Sequence, residues 1–441
     1  MSAAGVSPPR IYVRGATLAL TRRTTMRKAF LAPWHPLVEQ LRLWFLAKAQ
    51  VATGVAIHAA HDVVTHHHTR ITTASADALP EFLRITHGET SRALNTLLAH
   101  ERYDAPGEIF DDRQTHVLRL LDPEAQASHH VYEHLNTTAA GLVARPEHMP
   151  GVKLSHDRWK SRLVVVKRPP IYVDARTNPA ELPLVLTPDP ELYAAFDGDL
   201  EALVYHLDRM VDHGLRRIRD ARRGRRPLGA KGVRRIHPWS EPRTLREPRG
   251  QPVPTFKVGA RDLLGLERER RGAAETSRWR REHRDTRLAR RDGDLERAYP
   301  YGTYAARVYQ GAPVEAVPAA DALLAAPGRT LEEVEATLGA RRADEAEARR
   351  AARRRLVQEV KDAWTEEAAD VVAHDDLELC RKVAMDAGDG QGPARDGVEV
   401  RHRFERRPTE RSRAAQIVTL RDRRRDRPRR SDKPGGADPP K

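Results

Sequence analysis

A single cysteine, Cys380, serves a chain of 441 residues. That excludes an intramolecular disulfide and any zinc site built from cysteines. No apolar run approaches the ~18 residues that a membrane-spanning helix needs, and no secretory signal is recognisable. The expectation is therefore a cytoplasmic protein with no membrane partner. Lysine is scarce too, 11 residues against 66 arginines. The planar arginine fork suits phosphate contact, although a GC-rich coding sequence also yields this bias.

The net charge of +15 is unevenly placed. Residues 1–155 carry 16 basic against 14 acidic side chains, whereas the remainder carries 61 against 48. A basic excess confined to one end suits a nucleic-acid-binding arm or a solvated tail. Four regions follow: a catalytic domain over 13–155, a basic mixed or helical extension over 156–320 with a capacity to bind DNA, a charged helical region over 321–386 and a disordered basic tail over 387–441.

In the first region the order is strand, helix, strand, strand, helix, strand, helix. Thr17–Thr21 reads as a strand ending at Arg22 and Arg23. Residues 33–52 repeat apolar positions at helical spacing. Val55–Val64 and His66–Thr73 read as paired strands, Pro80 opens a second helix, residues 102–116 form a loop and Val117–Leu121 is a further strand. Asp122-Pro123-Glu124 supplies a helix N-cap, a proline at the first helical position and an acidic first turn. This order suits an antiparallel sheet with helices packed on it, an α+β fold. Further on, residues 162–187 read as an edge strand and loop, 197–225 as an amphipathic helix, 226–258 as extended and 260–297 as a charged helix. Tyr299–Val317 reads as a small hairpin around Gly302, and 330–386 as a long charged helix.

The chemistry concentrates in two segments. On a strand, His66 and His68 point to one face and His67 to the other. On a helix, Tyr132 and Asn136 project together. Two imidazoles and a carboxamide can hold a divalent cation, Mg²⁺ or Mn²⁺, with Zn²⁺ also able to bind. The cation would act as a Lewis acid on a phosphodiester, and the Tyr132 phenol would serve as nucleophile. Each feature also has a plain structural reading: a polar strand face, a half-buried tyrosine, a helix-capping asparagine. Thirteen of the 20 histidines lie in residues 1–155, so His-x-His alone is weak evidence.

Four stretches carry a resemblance: Thr17-Leu-Ala-Leu-Thr-Arg-Arg23, the strand pair from Ile57 to Thr69 ending in His66-His67-His68, Leu79-Pro-Glu-Phe-Leu83, and Tyr132-Glu-His-Leu-Asn136 with its exit through Gly141, Arg145-Pro146 and Pro150-Gly151. In order and spacing they resemble the REP-associated tyrosine transposases, single-tyrosine HUH transposases of the insertion-sequence type. The resemblance implies a ferredoxin-like sheet, Tyr132 as nucleophile, and His66, His68 and Asn136 as metal ligands. It implies a homodimer acting on single-stranded or hairpin DNA, with a 5′-phosphotyrosine intermediate and a 3′-hydroxyl released for rejoining. The sequence departs from the family at Thr65, where Asn is usual, at His67, where a hydrophobic residue is usual, and at Thr137, where Pro is usual. The aromatic-rich loop before the last strand is replaced by residues 103–110 with Asp111 and Asp112.

Among basic segments, Arg22 and Arg23 sit where a DNA strand would approach. The clusters around Arg222–Arg226 and Lys231–Arg235, with Arg234 and Arg235, lie near Trp239, an arrangement suited to phosphate contact and base stacking. The run over 421–430 reads as a nonspecific electrostatic tail. The alternative to a transposase-like enzyme is a catalytically inactive DNA-binding relative of the same fold. A histidine-rich metal-binding protein using His61, His66 and His68 is a further alternative.

Overall fold

β-Branched and small residues alternate along the first strands, and each buries one row of side chains on either side of a sheet. In the computed structural model these are β1 (Thr17–Arg23), β2 (Ala56–Val63), β3 (His66–Thr72) and β4 (His116–Leu120). Residues 9–75, 77–112, 115–241, 254–318 and 329–367 are described. Strands β2-β3-β1-β4 lie side by side in that order, every pair antiparallel. With helices between β1 and β2 and between β3 and β4, this is the ferredoxin-like arrangement within an α+β fold. The short strand β5 (Lys153–Leu154) extends the sheet beside β2, and β8 (Phe256–Lys257) extends it beside β4 in parallel.

Helix α1 (Pro36–Thr53) starts where His35 accepts the Leu37 N–H and stops at Gly54 in the left-handed region. Its apolar residues Leu41, Trp44 and Phe45 are fully buried against one face of the sheet, together with Ile57 and Ile71. The helix expected from Pro80 is broken into α2 (Ala78–Leu83), one π-helical stretch over Arg84–Glu89, and α3 (Thr90–His100). The extra residue of the π turn carries His87, which meets His67 from the sheet at 2.8 Å between their Nε2 atoms.

Helix α4 (Pro123–Ala139) crosses the other face. Its N-cap Asp122 accepts the Ala125 N–H at 2.6 Å and the Gly259 N–H at 2.9 Å. A Cβ on Gly259 would lie 2.2 Å from the Ala125 backbone nitrogen, so only glycine lets the extension approach this closely. Strands β6 (Leu163–Lys167) and β7 (Glu181–Val185) pair with each other, so residues 162–187 hold a two-stranded hairpin and not a lone edge strand. After α5 (Pro190–Ala195), helix α6 (Leu200–Arg222) packs along α4, with Gly214 admitting the Leu135 side chain. The segment expected to be extended holds the short helix α7 (Gly229–Arg234) as well as β8.

The charged helix expected over 260–297 is α8 (Leu263–Arg291), anchored by buried Trp279, whose N–H donates to the Tyr301 carbonyl at 2.7 Å. Residues 299–317 do not form the expected hairpin. They form α9 (Ala305–Gln310) and a single parallel bridge between Tyr299 and Val314. Gly302 is occupied instead by the N-terminal segment, its carbonyl accepting the Tyr12 N–H at 3.0 Å. The chain divides into two units, Met1–Ala352 and Arg353–Lys441. Helix α10 (Leu331–Glu367) supplies the described part of the second. The expected helix beyond residue 367 and the expected tail over 387–441 lie outside the described residues. Among the described residues, no helix is long and apolar enough to cross a membrane.

Candidate functional site

Register decides which side chains can meet. In β1 and β3, Thr21 pairs with His68, Arg22 with His67, and Arg23 with His66. Cross-strand partners share a face, so Thr21, Arg23, His66 and His68 lie on the α4 side. Arg22 lies with His67 on the opposite side. There its guanidinium donates to the Asp111 carbonyl at 2.9 Å and sits 3.4 Å from His87 Nδ1. Burial is the largest influence on it and lowers its pKa.

On the α4 side the residues singled out from sequence come together. Asn136 Nδ2 lies 2.9 Å from His68 Nε2. The His66 and His68 rings meet edge to face at 5.0 Å, and the Tyr132 ring meets His68 edge to face at 5.9 Å. Tyr132 is 55% exposed, unlike the buried core tyrosines, so substrate can reach it. Two threonines orient the imidazoles. Thr21 Oγ1 is 3.0 Å from His68 Nδ1, and Thr65 Oγ1 is 3.3 Å from His66 Nδ1. With each Nδ1–H donating to its threonine, the His68 Nε2 lone pair accepts the Asn136 Nδ2–H, and the His66 Nε2 lone pair is left for another partner. Thr65, which departs from the resembled family, thus does for His66 what Thr21 does for His68.

Both rings are neutral near pH 7. Burial holds His68 well below the ordinary 6.5, with His66 adding to the effect. Burial, then the charges of Arg23 and Arg27, lowers His66 to about 4. Neutral imidazoles and a carboxamide form a donor set suited to a divalent cation. Among the described residues, no group of three or more His, Cys, Asp or Glu side chains is disposed to hold a metal. Beside His68 on this face lies the amide of Asn136.

The phenol of Tyr132 is pushed above its ordinary 10, first by burial and then by the neighbouring Glu133. Arg23 and the hydrogen bond with Asn136 act in the opposite direction. Behind the phenol lies a buried polar network that the sequence patterns did not reveal. Arg70 contacts Glu133 at 3.3 Å and Asp189 at 2.6 Å, all fully buried. One guanidinium between two carboxylates leaves excess negative charge, and burial raises Glu133 to about 8, so it holds the proton. Arg70 also donates to His130 Nδ1. That sets the His130 tautomer, so its Nε2–H donates to His156 Nδ1 at 2.7 Å and His156 Nε2–H donates to Asp208 at 3.0 Å. His129 lies between Tyr132, at 5.4 Å between rings, and Glu133, at 3.5 Å. His61 pairs with His68 across β2 and β3, and its ring meets His134 edge to face at 5.7 Å.

Arg234 and Arg235 are exposed at the end of α7. The neighbouring Trp239 packs edge-on against Phe30 and donates its N–H to the Asp104 carbonyl at 2.9 Å, so its ring is already engaged within the protein.

No family model and no curated protein matches the chain. Solved structures similar to parts of it include the following two. One is a protein from Deinococcus radiodurans R1 assigned as a transposase, 18% identical, with a TM-score of 0.21 and covering 26% of this chain and 85% of its own. The other is a REP-associated tyrosine transposase bound to a REP hairpin, 17% identical, with a TM-score of 0.27 and covering 41% of this chain and 99% of its own.

Proposed function

We propose that this protein cleaves and rejoins single-stranded or hairpin DNA through Tyr132, as a metal-dependent tyrosine transposase acting as a homodimer. The observation that carries the reading is the convergence of Asn136 and buried His68, with His66 adjacent, beside the exposed Tyr132 on the α4 face. In the reaction the Tyr132 oxygen attacks the scissile phosphorus. A P–Oη bond forms, the P–O3′ bond breaks, and the departing 3′-oxygen takes up a proton. The product is a 5′-phosphotyrosine, which the 3′-hydroxyl of another strand resolves in the reverse sense.

His66, His68 and Asn136 would hold the cation, Mg²⁺ or Mn²⁺, which when bound supplies Lewis-acid polarisation of the phosphate. Thr21 and Thr65 keep the imidazole lone pairs turned toward that position. Asn136 hydrogen bonds to the phenol and stabilises its ionised form, and Arg23 adds positive charge where the phenolate develops.

The test is incubation with labelled hairpin DNA and Mn²⁺, followed by a denaturing gel. A protein–DNA adduct lost in both Tyr132→Phe and His66→Ala supports the reading. A folded protein that retains the DNA without forming an adduct favours a second reading, a catalytically inactive DNA-binding relative. The raised pKa of the Tyr132 phenol is the observation on that side.

A further inference from the structure

Beyond the phenol, the C-terminal ends of α4 and α6 enclose a groove of about 450 Å³. Arg145, Arg219, Arg222, Arg225 and Arg226 line it, and no acidic residue does. Two of the five have internal tasks. Arg222 donates to the Thr138 and Val143 carbonyls, closing the end of α4, and Arg145 pairs with Glu147. Arg219, Arg225 and Arg226 are exposed and make no salt bridge among the described residues. Two helix C-termini each bring roughly half a negative charge to this end. Arg145 is matched by Glu147, but the other four guanidiniums outweigh the helix ends, so the groove attracts anions.

The groove is built into the fold. Arg223 and Gly224 are both left-handed, at φ 47° and 79°, and turn the chain back after α6. The returning segment is pinned to the exit of α4 by Leu228 N–H on the Gly141 carbonyl at 2.9 Å and Gly229 N–H on the Leu142 carbonyl at 2.8 Å. Its floor is apolar, formed by Leu215, Ile218 and Pro227. No aromatic ring lines it, so it has no platform for stacking bases. An arginine rim over an aliphatic floor suits a sugar–phosphate backbone.

We propose that this groove holds the backbone of the single DNA strand that leaves the Tyr132 site, without reading its sequence. The proposal rests on the DNA-processing reading above and assigns it a strand path. Thr138, at the groove, lies six residues beyond Tyr132, about 9 Å along the helix axis and about 120° around it. A strand leaving the phenol therefore reaches the groove by bending round the end of α4.

The experiment uses full-length Tyr132→Phe protein and fluorescence anisotropy with two probes, a blunt hairpin and the same hairpin carrying a single-stranded tail. The variant is Arg219→Gln/Arg225→Gln/Arg226→Gln, which leaves the α4 cap Arg222 intact. Arg270→Gln/Arg271→Gln/Arg287→Gln on α8 removes equal charge elsewhere. The groove variant is expected to lose the tail's contribution and to lower the slope of log affinity against log salt by about 2, at ~0.7 per phosphate contact. A fourfold rise in salt would then weaken the parent about sixteenfold more than the variant. The α8 variant keeps the parental slope, and oligothymidine and mixed tails bind alike.

Equal slopes in parent and groove variant overturn the proposal. So does an equal loss in the α8 variant, a strong preference among tail sequences, or an RNA tail held tenfold more tightly than DNA. Adduct formation by the wild type is scored separately. An adduct with unchanged tail binding sinks the groove alone, whereas groove-dependent binding without an adduct sinks only the cleavage chemistry.

Discussion

Beneath α1 and α3 the central sheet is closed by Leu20, Leu41, Trp44, Phe45, Ile71, Leu94 and Leu97, all fully buried hydrocarbon or indole. Beneath α4 the same strands present His61, His68 and Arg70, met by His130, Glu133 and His134. Strand β3 shows the contrast within seven residues, because alternate side chains go to opposite faces. Around these residues the first face is stabilised mainly by area removed from water, a contribution that is additive to a first approximation and insensitive to pH, although the same side also buries the Arg42–Asp62 ion pair and the His67–His87 contact. The second depends on each buried polar group keeping its partner, since an uncompensated buried charge costs several kcal/mol. Exposure follows the same division. The apolar face has no route for solvent, whereas the α4 face opens at Tyr132, and its buried network holds the helix that carries the phenol.

The comparison can be broken most forcefully at Arg70. Arg70→Met leaves Glu133 and Asp189 facing each other without a cation, and a loss of about 3–5 kcal/mol is expected in urea denaturation. Replacing all three residues by apolar ones should recover most of that loss. If the triple variant is no more stable than Arg70→Met, the network is not the source of the penalty.

On the other face, Leu97→Ala should cost about 2–5 kcal/mol through a cavity, by the same amount at pH 5.5 and at pH 8. A pH-dependent loss would show that the two faces are not energetically separate.

Acidity sharpens the contrast further. On the α4 side, burial lowers His58, His61 and His130 below the ordinary 6.5. Below that pH the unfolded chain takes up protons that the folded protein refuses, so stability falls as pH drops. Each group contributes up to about 1.4 kcal/mol per pH unit. Glu133 has the opposite sign. Its folded pKa is raised from 4.5 to about 8, so the unfolded chain ionises first and stability falls as pH rises through that window. The thermal midpoint should therefore peak near pH 6.5, and Glu133→Gln should flatten the alkaline side. An unchanged profile in Glu133→Gln would remove this residue from the account.

The smallest effect is expected in the exposed extension. Arg270→Ala on α8 should change stability by no more than about 0.5 kcal/mol, although the same region carries most of the net charge.

The succession of elements through α4 could be read from particular residues. Leu37, Leu41, Trp44 and Phe45 at helical spacing mark α1, and Asp122-Pro123 marks the start of α4, where Asp122 does cap. The sharing of one face by His66 and His68 followed from strand alternation alone. The partition of Arg22 from Arg23 did not, because it needs the register that sets Arg22 beside His67. The His67–His87 contact was hidden for another reason. It depends on one π turn, and no local pattern announces where a helix takes an extra residue. Trp239 looked like a ring available for stacking, but Phe30, over two hundred positions earlier, occupies it.

What the sequence determined by itself is therefore local and periodic: which segments are strands or helices, which face a side chain takes, where α4 begins. These follow from backbone geometry and capping, which act over a few residues. Tertiary structure alone decided which partner each buried polar group found. Arg70 from β3, His130 and Glu133 from α4 and Asp189 at the start of α5 meet from three separate parts of the chain, and the groove arginines gather only because α6 returns against the end of α4. Desolvation makes such groups costly unless paired, and only the packed chain decides which of them are desolvated together.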